Sequence, residues 1–192
     1  MLVGHSTGGT FALAYASRYP DEIAGLVLLD SSSPEQFARM PAYHGQYAMM
    51  RRAYATMPTL SRLGLGHLVP AGSHLPAADA AKVAAITSGT QAYRNQRDEI
   101  SVIPDVFDQA QALTTLGGRP LSVLTASETS TGTDGWDGAQ NQLAALSADS
   151  VHWTVDSTHS GLLEDTGPAA ESVRAITEVL FAIRTGTALR SQ

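Results

Sequence analysis

The 192-residue chain has no cysteine. That excludes a disulfide framework, a thiolate metal site and a cysteine nucleophile, and it fits a cytoplasmic location. Basic residues are also scarce, at 12 Lys and Arg against 18 Asp and Glu, for a formal net charge of -6. The few that occur are scattered along the chain, whereas a nucleic-acid or anionic-membrane partner would call for clustered positive surface. No apolar run approaches the roughly 18 to 20 residues that span a bilayer. Nor does a basic segment followed by an apolar signal region open the chain, so no targeting peptide is visible in it. Internal repeats, low-complexity tracts and heptads are missing as well. What remains is 43% hydrophobic and 16% charged, a globular composition with enough length for one domain carrying an insertion.

The first residues are the most informative. Leu2-Val3 is a short apolar run that ends in Gly4-His5-Ser6-Thr7-Gly8, a Gly-x-Ser-x-Gly pattern, and an alanine-rich stretch with helical character follows to Tyr19. Strand, sharp turn and helix in that order strain the serine backbone and point its hydroxyl out of the sheet. Pro20 closes the helix. The run Ile23-Ala24-Gly25-Leu26-Val27-Leu28-Leu29 is too short for a typical helix and too apolar for a half-exposed strand. It therefore predicts a buried parallel strand with Asp30 at its carboxyl end, the side on which α/β sheets place ligands.

From residue 34 to 116 no strand pattern appears. Ala-, Met-, Tyr- and Arg-containing patches are broken by Pro41, Pro58, Gly64, Gly66, Pro70, Gly72, Pro76 and Pro104. This predicts several short helices forming a lid inserted in the domain. Arg119 to Ala126 restores a strand, and Ser127 to Gly138 reads as a Ser/Thr/Gly loop with a turn at Asp134-Gly135. A helix is predicted over Gln140 to Leu146, a strand over Val151 to Val155, and an amphipathic helix from Pro168 to about Thr185. The fold class is thus α/β, a mostly parallel sheet flanked by helices with a helical lid.

Ser6, Asp30 and His159 each follow a predicted strand. Serine is a weak nucleophile at neutral pH; an imidazole must take its proton, and a carboxylate must fix the imidazole tautomer. The order serine, acid, histidine is that of the α/β-hydrolase fold. The sequence resembles the α/β-hydrolase superfamily in its lid-bearing, esterase-like branch. The resemblance rests on Leu2 to Gly9, on Arg18-Tyr19-Pro20 with Gly25 to Asp30, on Pro120 to Ala126, and on Ser157-Thr158-His159 with Glu164-Asp165, Pro168 and Val173 to Ile176. It implies Ser6 as nucleophile, His159 as general base and the Thr7 N–H as an oxyanion donor. Many members carry the acid in a Gly-x-x-Asp pattern after the strand matching Leu121 to Thr125, where this chain reads Ala126-Ser127-Glu128-Thr129. The acid is then Asp30, as in members that place it one strand earlier, with Glu128, Asp134 and Asp137 as alternatives.

The resemblance implies a carboxylic-ester hydrolase acting on a small acyl substrate, with no metal or organic cofactor. In the complete fold, strands and a second oxyanion donor precede the nucleophile strand, and the chain is expected to lack them, leaving an open sheet edge. A non-catalytic remnant binding a small ligand or partner, and an acyltransferase or cofactor-free perhydrolase using the same triad, are the competing expectations. His5 reads as a packing residue behind the turn. His44, His67, His74 and His152 show no metal-ligand spacing. Arg94, Arg97, Asp98 and Glu99 read as a solvated helix face. Met40, Met49, Met50 and Met57 with Tyr43, Tyr47 and Tyr54 read as the lid's own small core, or as an adaptable pocket under it.

Overall fold

The structure is a computed structural model that describes residues 1–68 and 73–189, without the His67 side chain. Pro70 and Gly72, read above as helix breakers, lie outside the described residues. The chain divides into two compact units, one formed by Met1–Met40 with Asp105–Gln192 and the other by Pro41–Pro104.

The first unit is built on a parallel sheet whose spatial order equals its chain order: β1 (Leu2–His5), β2 (Leu26–Leu29), β3 (Leu121–Ala126) and β4 (Ser150–Val155). Helix α1 (Thr7–Arg18) links β1 to β2. The strand predicted from Ile23 begins only at Leu26: a 3-10 turn at Pro20–Glu22 is followed by residues 23–25 outside any strand. Every β2 and β3 residue is buried, as expected for strands covered on both faces.

Side-chain alternation divides the core. Leu26, Leu28, Leu121 and Val123 pack with Ala12, Leu13 and Ala16 of α1 and with Leu143 of α7 (Trp136–Ala144). Val27, Leu29, Leu124 and Ala126 face Leu162 of α8 (Gly161–Glu164) and Ala175 and Val179 of α9 (Thr166–Thr185). Pro168 stands in the first turn of α9, where a missing N–H is harmless.

A short helix α2 (Gln36–Arg39) follows β2. The second unit contains α3 (Tyr43–Arg62), α4 (Ala77–Thr87) and most of α5 (Thr90–Gln111). Two of these helices exceed the short pieces expected, since Pro58 and Pro104 lie inside α3 and α5 rather than ending them. A proline removes one backbone donor and crowds the preceding turn. A helix of 20 or 22 residues has enough remaining hydrogen bonds to carry one interruption. Within this unit the Tyr47 hydroxyl donates to the Ile100 carbonyl and the Tyr93 hydroxyl to that of Gly66. Tyr47 is thus part of a core, while Met49 is 68% exposed.

The Ser/Thr-rich segment after β3 is helical rather than a loop: α6 (Ser127–Gly132) starts directly after Ala126. Thr131 folds its hydroxyl back on the Ser127 carbonyl at 2.8 Å, the local bond by which such residues are accommodated in a helix. The turn at Asp134-Gly135 is present, with Gly135 at φ 85°.

Glycine is required at two places around the elbow. A Cβ on Gly4 would stand 2.4 Å from the Gly9 Cα, and one on Gly9 would stand 1.8 Å from the Ser31 Oγ. Helix α1 therefore approaches β1 at backbone contact and lies directly against the Ser31 side chain. Gly8, by contrast, has nothing within 4 Å of its Cβ position. Gly4→Ala is expected to lower unfolding free energy by about 1–3 kcal/mol through overpacking. Gly8→Ala should raise it by up to about 1 kcal/mol through helix propensity. Urea unfolding of the two variants measures the contrast.

Candidate active site

Ser6, Asp30, Glu128 and His159 lie just beyond the carboxyl ends of neighbouring strands, whereas Asp134 lies in a turn and Asp137 inside α7. Ser6 follows β1 and adopts φ 56°, ψ -131°, a region that non-glycine residues occupy only under constraint. The constraint is visible at its carbonyl, which accepts from Gly9 N at 3.1 Å, Ser32 N at 3.1 Å and Ser31 Oγ at 3.3 Å. Its own N–H donates to the Leu29 carbonyl at 3.1 Å. The Ser31-Ser32-Ser33 run is buried and supplies two of these clamps. Thr7 opens α1, where first-turn N–H groups and the helix dipole favour negative charge.

Asp30 follows β2 at φ 42° and is completely buried. Four donors surround its carboxylate. Oδ1 accepts from Ala126 N at 3.2 Å and Trp136 Nε1 at 2.9 Å. Oδ2 accepts from Thr129 Oγ1 at 2.5 Å and His159 Nδ1 at 2.6 Å. Burial by itself would raise the Asp30 pKa, but the hydrogen bonds from His159, Thr129, Ala126 and Trp136 outweigh it and hold the group below its ordinary value. Asp30 is then ionised at neutral pH and can only accept. His159 consequently carries its proton on Nδ1 and leaves Nε2 with a free lone pair for accepting a proton.

Of the four carboxylates considered from the sequence, Asp30 is the one bonded to the His159 ring. Glu128 instead receives the His159 main-chain N–H on Oε2 at 2.9 Å. Asp137 accepts from Ser130 Oγ at 2.6 Å, and Asp134 is exposed in its turn. Thr129 stands where the resemblance would place an acid, and it serves Asp30 as a donor.

His5 does more than pack. Its Nε2 lies 2.9 Å from the His159 carbonyl, and the two rings are 4.3 Å apart at 34°. Burial lowers the His5 pKa, the chief influence on it. Three contributors thus escaped the sequence reading: Trp136, Thr129 and the polar role of His5. The one available signal was a tryptophan directly after the turn glycine, Gly135.

His152 is held by Thr125 Oγ1 at 2.8 Å and Asn141 Oδ1 at 3.0 Å. Among the described residues no cluster of three or more His, Asp or Glu could hold a metal ion, and no helix is long and apolar enough to cross a membrane.

A parallel sheet flanked by helices, with a strained serine between β1 and α1, defines the class. Residues 1–63 match the family model described as alpha/beta hydrolase fold. Solved structures agree. A probable hydrolytic enzyme from Pseudomonas aeruginosa PAO1 superposes with a TM-score of 0.53 at 17% identity, over 93% of this chain and 62% of that one. A loop variant of the haloalkane dehalogenase DbeA from Bradyrhizobium elkanii gives 0.59 at 15% identity, over 96% of this chain and 69% of that one. The chain therefore spans somewhat under two thirds of the length of the first of these structures. A search of curated proteins found no sequence match. The chain has the α/β-hydrolase fold, and its first third matches the model of that family.

Proposed function

We propose that the protein is a serine hydrolase of carboxylic esters or related acyl bonds, with Ser6 as nucleophile, His159 as general base and Asp30 as the acid that orients it. The observation that carries this reading is the 2.6 Å bond from His159 Nδ1 to the buried Asp30 carboxylate. It joins two residues 129 positions apart, and His159 also contacts His5, the residue before the strained Ser6. In the reaction Ser6 Oγ adds to the acyl carbon as its proton passes to His159 Nε2. The tetrahedral oxyanion is met by the Thr7 N–H, and His159 returns the proton to the leaving alkoxide. Water, deprotonated by His159, then attacks the acyl-serine and releases the acid. The helical segment 41–104 is assigned the lid role on its place in the chain, between the strand ending at Asp30 and the strand preceding Thr129.

A dehalogenase fold neighbour raises the question of alkyl halide substrates. Attack of a serine oxygen on an alkyl halide would leave an ether, which has no acyl carbon for water to attack, and turnover would stop. Attack on an acyl group leaves an ester, which water can cleave. Ser6 therefore favours acyl substrates.

A fluorophosphonate probe tests the proposal. Stoichiometric labelling of the wild type at Ser6, lost in Ser6→Ala and reduced at least a hundredfold in rate in His159→Ala, is expected; an unlabelled or Ser6-independent adduct would refute it.

A further inference from the structure

The bonds from Asp30 fix the His159 ring, but a ring is only as well placed as the backbone that bears it. His159 lies in the segment between β4 and α8, and its main chain is held on both sides. Its N–H donates to Glu128 Oε2 at 2.9 Å, and its carbonyl is 2.9 Å from His5 Nε2. A carbonyl can only accept, so His5 must carry its proton on Nε2 and donate. The remainder of the segment is tied to α6: Ser157 N donates to Ser127 Oγ at 3.1 Å, and Glu128 N to the Ser157 carbonyl at 3.1 Å.

His5 is also the residue before Ser6, and its position is set by pairing with Leu29 in the sheet. One dipeptide therefore holds the nucleophile and grips the loop that carries its base. The functional value of such a grip is geometric, because a displacement of about 1 Å between reacting groups lowers rates by up to roughly a hundredfold.

We propose that His5 and Glu128 are positioning residues that clamp the His159 main chain from opposite sides and hold its imidazole in register with Ser6. The proposal rests on the serine-hydrolase reading for its kinetic consequences, though the clamp itself is a structural assignment. The middle residue of Gly4-His5-Ser6 is, on this view, selected for a donor at the tip of its ring.

The test compares pairs of variants that differ in hydrogen bonding. His5→Phe keeps a ring and loses the donor, whereas His5→Gln keeps a donor at similar reach. Glu128→Ala loses the acceptor, whereas Glu128→Gln keeps one. With a p-nitrophenyl ester, His5→Phe and Glu128→Ala should each lower kcat about tenfold, the scale of one hydrogen bond, and leave KM within about twofold. His5→Gln and Glu128→Gln should stay within about threefold of wild type. Unchanged kcat in His5→Phe, or equal losses in His5→Phe and His5→Gln, would overturn the assignment of His5. If His5→Phe does not fold, the Glu128 pair decides by the same criteria.

A second readout separates this inference from the reaction. The downfield proton resonance of His159 Nδ1–H, identified by its loss in His159→Ala, should broaden in His5→Phe and stay sharp in His5→Gln. Should the wild type cleave no ester, the hydrolase reading fails and this spectrum alone judges the clamp; a sharp resonance in His5→Phe would overturn it.

Discussion

Exchange of Ser6 for glycine is expected to give a protein that is more stable and hydrolyses nothing. Ser6 sits at φ 56°, ψ -131°, where a side chain is strained by about 1–3 kcal/mol. Glycine accepts that backbone without the strain, and its greater freedom in the unfolded chain offsets part of the gain, about 0.5–1 kcal/mol. A net rise on the order of 1 kcal/mol remains. Without Oγ the proposed nucleophile is gone, and turnover should fall by about 10⁴–10⁶-fold. Ser6→Ala should be equally inactive, yet less stable than Ser6→Gly, because alanine retains the strained Cβ. Urea unfolding of the three proteins beside an ester assay measures both effects, and equal stability of Ser6→Gly and Ser6→Ala would show that the elbow stores no strain.

Asp30→Asn is expected to lower kcat by about 10⁴-fold while leaving the site assembled. The reason is a count of donors. Ala126 N, Trp136 Nε1, Thr129 Oγ1 and His159 Nδ1 all point at the two Asp30 oxygens. An asparagine can keep its oxygen toward Ala126 and Trp136, but its amide nitrogen then meets Thr129 and His159. The threonine hydroxyl can rotate to accept. His159 can accept only by moving its proton to Nε2, which removes the lone pair that Ser6 needs. Nitrogen NMR of His159 would detect the changed tautomer directly.

The same variant has a signature in acid. The folded Asp30 carboxyl titrates below its ordinary value of 3.8, so around that pH the group carries fewer protons in the folded chain than in the unfolded one. The stability it contributes is fully present above the unfolded value and is lost as pH falls through the lower folded value. Asp30→Asn lacks that contribution. The stability gap between wild type and variant should therefore narrow as pH is lowered below about 4, in urea titrations taken at successive pH values.

Much of the first unit could be read in the sequence, and the reason is periodicity. Strands buried on both faces print apolar runs, continuous in Leu26 to Leu29 and broken only by Ser122 in Leu121 to Leu124. Ser6, Asp30 and His159 could be singled out because each follows a stretch with a strand pattern, continuous before Asp30 and alternating before His159. Segments whose state depends on context were harder. Ser127 to Gly132 has the composition of a loop, but it is helical and its first residues hold the His159 segment. Pro58 and Pro104 are strong breakers by local preference, and tertiary context overrides them inside long helices. The partners of Asp30 were hidden for a different reason. Thr129 and Trp136 lie 99 and 106 residues from it, and no spacing rule connects groups that only folding brings together. His5 was legible as part of a motif, but its bond spans 154 residues to a carbonyl, which carries no side-chain signature at all.

The order of the sheet has a consequence for how the molecule acquires its chemistry. Ser6, Asp30, Thr129 and His159 come from the ends of four consecutive strands, so no pair of neighbouring strands holds the whole constellation. Parallel pairing across crossovers is slow to form because long loops must close first. On the proposed roles, a chain emerging from synthesis would present Ser6 well before the segment after β4 brought His159. If Ser6 is the nucleophile proposed above, its reactivity is a clock for the final docking event, and a phosphonate pulse during refolding would time the arrival of the last strand.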